Sequence, residues 1–320
     1  MKVIITGVAG FIGSNLALKT LELGYDIVGI DNFDPYYDVS LKRKNLENIL
    51  SFKNFKFYEV DILDKETIRK VILEEEPEVV VHLAARPGVR ASILDPFKYI
   101  EINIKGTLTL LECIKDKKIK LIFSSSSSVY GDKRGKFSES DKNIVPVSPY
   151  GYSKRAAEIL CETYNKLYGI KVLVLRLFTV YGPSQRPDMA IHLFTKKILK
   201  GEEIRVFGEG KTERDYTYID DIVKGIISAI QLKDFDFDII NLGNSKPVSI
   251  FKVIKIIERL LGKKAKIVLE PLPMGDVKRT YANIEKAKMI LNYNPVTSLE
   301  DGIESFLKWH QKNCNCHEGI

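Results

Sequence analysis

Six short runs of apolar, mostly β-branched residues recur along the first part of the chain, at 3–6, 27–30, 57–60, 79–83, 121–124 and 172–177. Between them lie stretches in which apolar residues return every three or four positions, at 14–23, 65–75, 103–115 and 150–168. A run that is apolar on both faces belongs to a strand buried on both faces, as in a parallel sheet covered by helices. Strand alternating with helix in this way predicts a doubly wound α/β fold. Beyond about Tyr181 the rhythm changes to Gly-Pro and Arg-Pro steps, a helix over 191–200 and a turn-rich stretch through Gly208 and Gly210. A helix over 222–232 and a strand over 239–242 then return the chain to the sheet, before a last segment from about Pro247. The expected division is a first domain of 1–180 plus about 219–245, with a smaller, discontinuous C-terminal substrate domain of 181–218 and 246–320.

Composition changes this picture little. A chain of 320 residues that is 45% hydrophobic can bury a large core. Its net charge of +7 comes from Lys and Arg scattered among 42 acidic residues, with no basic arm, so no nucleic-acid partner is expected. The positive field does favour an anionic ligand entering a cleft. The stretch 3–18 is uncharged but short for a membrane span, holds Gly7, Gly10 and Gly13, and has only Lys2 as a basic residue before it. A buried strand running into a helix explains it, and no membrane partner and a cytoplasmic location are expected. Four Cys cannot frame a disulfide scaffold in a chain this long, and Cys113 and Cys161 read as small core residues in a reducing compartment. Cys314, Cys316 and His317 lack the spacing of a closed zinc site, so no metal is expected.

The first strand ends in Gly7-Val8-Ala9-Gly10-Phe11-Ile12-Gly13 and a helix follows at once. Strand, tight glycine turn and helix N-terminus together aim backbone N–H groups and the positive helix end at a pyrophosphate. The second strand closes on Asp31, which places a carboxylate where it can accept both hydroxyls of an adenosine ribose and repel a 2′-phosphate. That combination makes NAD the expected cofactor. Asp61 and Ile62, ending the third strand, are placed to flank the adenine, with a surface turn as the competing reading.

Among the 15 Tyr, only Tyr150 has a Lys four residues later, Lys154, and this spacing sets both on one helix face. Removing hydride from a secondary alcohol also requires removing its proton, and a phenol with pKa near ~10 is a poor base at neutral pH. A neighbouring ammonium and an oxidised nicotinamide would favour the phenolate. The serine run 124–128 ends the preceding strand and offers a hydroxyl to relay the proton.

With these residues in place, the sequence resembles the extended short-chain dehydrogenases over essentially its whole length and, within them, the UDP-glucuronate 4-epimerases. The likeness is carried by Asp31-Asn32-Phe33-Asp34-Pro35-Tyr36-Tyr37-Asp38 and His82-Leu83-Ala84-Ala85-Arg86-Pro87-Gly88-Val89-Arg90. It continues in Ser125-Ser126-Ser127-Ser128-Val129-Tyr130-Gly131, Phe178-Thr179-Val180-Tyr181-Gly182-Pro183 and Arg186-Pro187-Asp188-Met189-Ala190. The resemblance implies a Rossmann sheet, NAD as cofactor and an isomerase that inverts C4 of a UDP-sugar through a 4-keto intermediate, UDP-glucuronate becoming UDP-galacturonate.

By the same resemblance, Tyr150 is the base, Lys154 orients the nicotinamide ribose and lowers the phenol's pKa, and Ser126 stands where many relatives have the relay Thr. Phe11, Ile12, Asn32, Leu83, Ala84, Ala85 and Asn103 join the cofactor wall. Ser127, Ser128 and Thr179 face the sugar and its carboxylate, and Arg186 holds the substrate. Arg214 corresponds to a diphosphate ligand and Arg279 to a second phosphate ligand. Arg90 falls near the sugar, and Asn283 replaces a frequent Asp. A homodimer formed through the helices after the fourth and fifth strands is likewise implied.

Rivals leave different traces. A decarboxylase resembling UDP-xylose synthase usually carries Glu at the place of Ser128, and a 4,6-dehydratase an Asp-Glu pair near Ser127 and Ser128; this chain has neither. A UDP-glucose/UDP-galactose 4-epimerase differs only in recognition at C6 and stays open. A non-catalytic dinucleotide-binding protein would have no need of Tyr150, Lys154 and Ser126 together.

Overall fold

The computed structural model describes residues 1–314, so Cys316 and His317 lie outside the described residues. Strands β1 (Lys2–Thr6), β2 (Asp26–Asp31), β3 (Phe55–Glu59), β4 (Val79–His82), β5 (Lys120–Ser126) and β6 (Val172–Leu177) occupy the positions expected from their apolar runs to within two residues at either end, β3 and β4 stopping one residue short of theirs. Short strands β7 (Val180–Tyr181), β8 (Glu203–Phe207), β9 (Glu213–Asp215) and β10 (Thr217–Tyr218) follow, then β11 (Phe237–Leu242), β12 (Pro247–Ser249) and β13 (Lys266–Glu270). Seven strands form one parallel sheet in the order β11-β6-β5-β4-β1-β2-β3. The order reverses direction at β1 and β4, and the crevice at the carboxyl ends of those strands is where ligands bind in such sheets.

Helices α1 (Phe11–Glu22), α2 (Val39–Glu47), α3 (Lys65–Glu75), α4 (Val89–Leu94), α5 (Pro96–Tyr99) and α6 (Gly106–Ile114) connect the first five strands. After them come α7 (Pro149–Tyr168), α8 (Ala190–Lys200), α9 (Ile219–Gln231), α10 (Ile250–Leu261), α11 (Glu285–Leu291) and α12 (Leu299–Cys314). The strand alternation sorts their side chains into two cores. Val3, Ile5, Ile27 and Val81 face one layer of helices, while Ile4, Val28, Val80 and Phe123 face the other, where Cys113 and Cys161 are buried too. Among the described residues no helix is long and apolar enough to cross a membrane.

Local chemistry sets the helix that matters most. Ser148 precedes α7, its hydroxyl accepts from the Gly151 amide at 3.1 Å, and Pro149 occupies the first turn, where its missing N–H costs nothing. Gly169, at φ 68°, ends the helix in the left-handed region. The helix expected over 103–115 differs from expectation: it begins as a π turn over Ile100–Lys105 and becomes α-helical only from Gly106. A π turn holds one more residue than an α turn. The side chain re-aimed there, Asn103, donates from Nδ2 to the Arg86 carbonyl at 3.0 Å and to Ser153 Oγ at 2.9 Å, and accepts from the Arg86 amide at 2.7 Å.

The remaining strands pair in twos, β7 with β10, β8 with β13 and β9 with β12, beside the carboxyl edge of the sheet. Asp215, on β9, is fully buried and accepts from the amides of Asn244 at 2.8 Å and Ala282 at 2.9 Å, which ties three distant segments together.

Candidate active site

A cavity of about 400 Å³ opens over the carboxyl ends of β1, β2, β4 and β5. Its floor is the glycine turn. Gly7 takes φ 73° and donates to the Ile30 carbonyl at 2.7 Å, and a Cβ there would lie 2.8 Å from the Ala84 nitrogen. A Cβ on Gly13 would stand 2.2 Å from the Gly7 carbonyl oxygen. Helix α1 begins directly after Gly10, which offers no side chain to cap it. Its first amides therefore have no side-chain acceptor and suit an anion. Asp31 is buried, and burial pushes its carboxyl up, while Lys42 and the amides of Phe33 and Ala9 pull it back. Those amides donate at 2.8 and 3.0 Å, so the carboxylate pins the turn to the loop after β2. Close-approach glycines, an uncapped helix start and a carboxylate at the second strand end fit a dinucleotide that carries an unphosphorylated ribose.

A buried chain of hydrogen bonds stiffens the neighbouring wall. Thr107 spends its hydroxyl proton on the Asn103 carbonyl at 2.7 Å, so His82 Nε2 must be the donor in its 3.2 Å contact with Thr107 Oγ1. Nδ1 then accepts from Thr6 Oγ1 at 2.8 Å, and that oxygen accepts from the Ala84 amide at 3.2 Å. Burial, with the Lys154 charge nearby, pushes the His82 ring down to about 3, so it stays neutral.

The Tyr150 phenol faces the cavity from the first turn of α7, edge-on to the Tyr99 ring at 6.2 Å. Burial raises it above the ordinary phenol value, and a hydrogen bond with the Ser126 hydroxyl and the charge of Arg186 work the other way. Lys154 is 4% exposed, and burial pushes its ammonium down to about 8. Its Nζ donates to the Ser124 carbonyl at 2.8 Å and lies 5.2 Å from the centre of the Phe123 ring. The ammonium is thus held by the strand that presents Ser126, and the influences that lower the phenol here are Ser126 and Arg186. Ser126 Oγ donates to Ser128 Oγ at 3.2 Å and accepts from the Ser128 amide at 3.1 Å.

Ser127, Ser128, Thr179 and Arg186 line the cavity, as do Phe11, Ile12, Asn32, Asp61, Ile62, Leu83, Ala84 and Ala85. Arg186 forms a fork with Asp188 at 2.9 and 3.1 Å. The Tyr36 ring lies between two guanidinium groups, 5.2 Å from Arg86 and 5.7 Å from Arg186, and its hydroxyl donates to Asp188 at 3.3 Å. Tyr36, Tyr37, Lys42 and Arg86 are lining residues that the pattern reading did not single out. Tyr36, Tyr37 and Arg86 stand in the segments that carry the family likeness, whereas Lys42 is marked only by its place after β2.

Four expected site residues stand outside this cavity. Asn103 braces the wall from behind through the Arg86 backbone. Arg90 pairs with Asp276 at 2.8 Å and lies 4.0 Å from the Phe207 ring centre, and Arg279 pairs with Glu213 at 2.8 Å. Arg214 donates to the carbonyls of Glu213 at 2.9 Å and Lys278 at 3.3 Å, and burial lowers its pKa. These arginines form a second cationic group, linked through Glu213 and Asp276. Among the described residues no group of three or more His, Cys, Asp or Glu is arranged to hold a metal.

A doubly wound sheet with a glycine turn, a strand-end carboxylate and a Tyr, Lys and Ser converging on one cavity is the arrangement of a dinucleotide-dependent enzyme that moves a hydride and a proton together. The family model described as NAD dependent epimerase/dehydratase matches residues 3–243, and the chain belongs to that family. It is 45% identical over 319 residues to a UDP-glucuronate 4-epimerase of Thermodesulfobacterium geofontis, covering 99% of this chain and 98% of the relative. The crystal structure of a UDP-glucuronic acid 4-epimerase from Bacillus cereus, in complex with UDP-glucuronic acid and NAD, superposes with a TM-score of 0.94 at 40% identity, covering 98% of this chain and 99% of that one. A UDP-glucose 4-epimerase of Thermotoga maritima with UDP-glucose is more distant, at TM-score 0.87 and 33% identity, covering 98% of this chain and 100% of that one.

Proposed function

We propose that this enzyme interconverts UDP-glucuronate and UDP-galacturonate by NAD-dependent inversion at C4. The observation that carries the reading is the convergence of Tyr150, Lys154 and Ser126 on one cavity that Ser127, Ser128, Thr179 and Arg186 also line. When bound over the glycine turn, NAD accepts hydride from the sugar and returns it, and its cationic ring favours the phenolate. Tyr150 removes the C4 hydroxyl proton, with Ser126 as relay, and gives it back after the keto sugar has turned over. Lys154, fixed on the Ser124 carbonyl, orients the nicotinamide ribose.

Inversion requires the ring to turn while the rest of the substrate stays attached. Arg214 and Arg279 suit the diphosphate, Arg90 suits the part of the substrate next to the sugar, and Asn103 supports the cofactor wall through the Arg86 backbone. A 4-keto uronic acid loses CO₂ when the breaking bond aligns with the carbonyl, so hydroxyls from Ser127, Ser128 and Thr179 serve to hold the carboxylate out of that alignment. Residues 1–180 with 219–245 form the cofactor domain in this reading, and 181–218 with 246–320 close over the nucleotide.

A homodimer and a cytoplasmic location complete the proposal. Leu94 and Phe97 near α5 are 87% and 85% exposed, and Tyr152 and Ile159 on α7 are exposed as well, an apolar face that suits a second copy. Light scattering on the purified protein should give twice the chain mass, and Phe97→Glu should lower it. The decisive experiment is product identification from a panel of UDP-hexoses and UDP-uronic acids. UDP-galacturonate from UDP-glucuronate is expected, and turnover of UDP-glucose alone would reject the acid specificity.

A further inference from the structure

Behind the serine run lies a carboxylate that the reaction itself does not use. Glu158 is 1% exposed and sits one helical turn beyond Lys154 and two beyond Tyr150 on α7. It accepts four hydrogen bonds from three different elements. Ser125 Oγ on β5 donates to Oε1 at 2.5 Å, and Arg176 on β6 donates from Nε to Oε1 at 2.9 Å and from Nη2 to Oε2 at 2.8 Å. Arg155 on its own helix donates to Oε2 at 2.9 Å. Arg176 is itself fully buried and lies 4.7 Å from the Tyr130 ring centre, and the Tyr130 hydroxyl donates to Asn241 on β11 at 2.8 Å.

We propose that Glu158 is a positioning residue, whose carboxylate locks α7, the end of β5 and β6 into one register so that Tyr150 and Ser126 meet the reacting sugar carbon while Lys154 meets the cofactor ribose. The placement is specific. Ser125, which Glu158 grips, stands between Ser124, whose carbonyl holds Lys154, and Ser126, the relay hydroxyl. Arg176, which it grips on the other side, precedes the 177–180 stretch that lines the sugar end. A buried Arg–Glu pair is a poor stabiliser when compared with an apolar pair of the same volume, so register is the better account of it here. The ionisable groups that act on the Lys154 ammonium are Cys161 and Glu158 on its own helix and His82 on β4, and of these only Glu158 is a carboxylate.

This proposal rests on the catalytic roles given above, so Tyr150→Phe is measured in parallel. Glu158→Gln should lower kcat about 100-fold while KM stays within about threefold, because a misaligned base loses turnover rather than binding. Its loss of charge should also move the Lys154 titration, followed by NMR of protein carrying ¹³Cε-lysine, to lower pH. Ser125→Ala, which cuts one link and keeps every charge, should lower kcat about tenfold and leave that titration in place. If Glu158→Gln does not fold, Ser125→Ala decides alone. Wild-type kcat in either folded variant, or a loss confined to KM, overturns the positioning role. Near-normal turnover in Tyr150→Phe would instead remove the base, whatever the other variants do.

Discussion

The polar groups at the carboxyl edge of the sheet and the arginines beyond it are held in opposite ways. Along the edge, Asp31, His82, Lys154 and Glu158 are all buried, and each is bonded to a backbone group or a buried partner. Beyond it, Arg90 and Arg279 rest on Asp276 and Glu213 with about half of each guanidinium side chain exposed, 52% and 46%. Exposed pairs of that kind contribute roughly 0–1 kcal/mol. A phosphate can therefore replace Glu213 at little cost, whereas Asp276 is itself mostly buried, at 14% exposure, and the contacts along the edge have no alternative partner. The comparison teaches that the proton-transfer end of the site is set during folding, while at the end proposed for the diphosphate Arg279 is free to exchange partners as the substrate enters and Arg214 is held on the carbonyls of Glu213 and Lys278.

The largest effect should come from breaking the preset end. Gly13→Ala puts a Cβ 2.2 Å from the Gly7 oxygen, so the turn must open and NAD should be lost. Chromatography of nucleotide released from the purified protein checks this, and full retention with normal turnover would sink the idea of a rigid cradle.

Arg186 belongs to both regions, since it faces the cavity and yet is paired with Asp188. Arg186→Ala should reduce kcat/KM for UDP-glucuronate by about 100-fold and for UDP-glucose by under about fivefold, as a bidentate carboxylate contact would. Equal losses for both sugars would confine Arg186 to the nucleotide.

His82 provides a test of rigidity in pH. Its folded value, about 3, lies below the unfolded value near 6.5, so unfolded chains bind the proton first. Its contribution is present above pH 6.5 and lost as pH falls towards 3, about 2 kcal/mol of it by pH 5. Burial shifts His192 the same way. Urea unfolding at pH 7.5 and pH 5 should show the loss, and equal stability at the two would mean that His82 can take up a proton in the fold.

The smallest effect is expected at the exchangeable end, where Arg279→Ala should raise KM about threefold and leave kcat unchanged. A collapse of kcat there would erase the distinction between the regions.

What local sequence carried was the sheet and the cradle. Strand, glycine turn and helix are fixed by neighbours within a few residues, so the turn through Gly7 and Gly13, Asp31 at the next strand end and the Tyr150–Lys154 spacing on α7 could all be read before any tertiary contact was known. Asn103 shows where that reading ends, because its side chain direction depends on a π turn that periodicity cannot reveal. Glu158 drew no expectation from the sequence, and its partners Ser125 and Arg176 lie 33 and 18 residues away. Arg90 and Asp276 are 186 residues apart. Sequence alone determined backbone geometry, which arises from steric contacts between near neighbours. Only the tertiary structure decided which charge meets which, because that depends on how separate loops pack and on how far each pair is withdrawn from water.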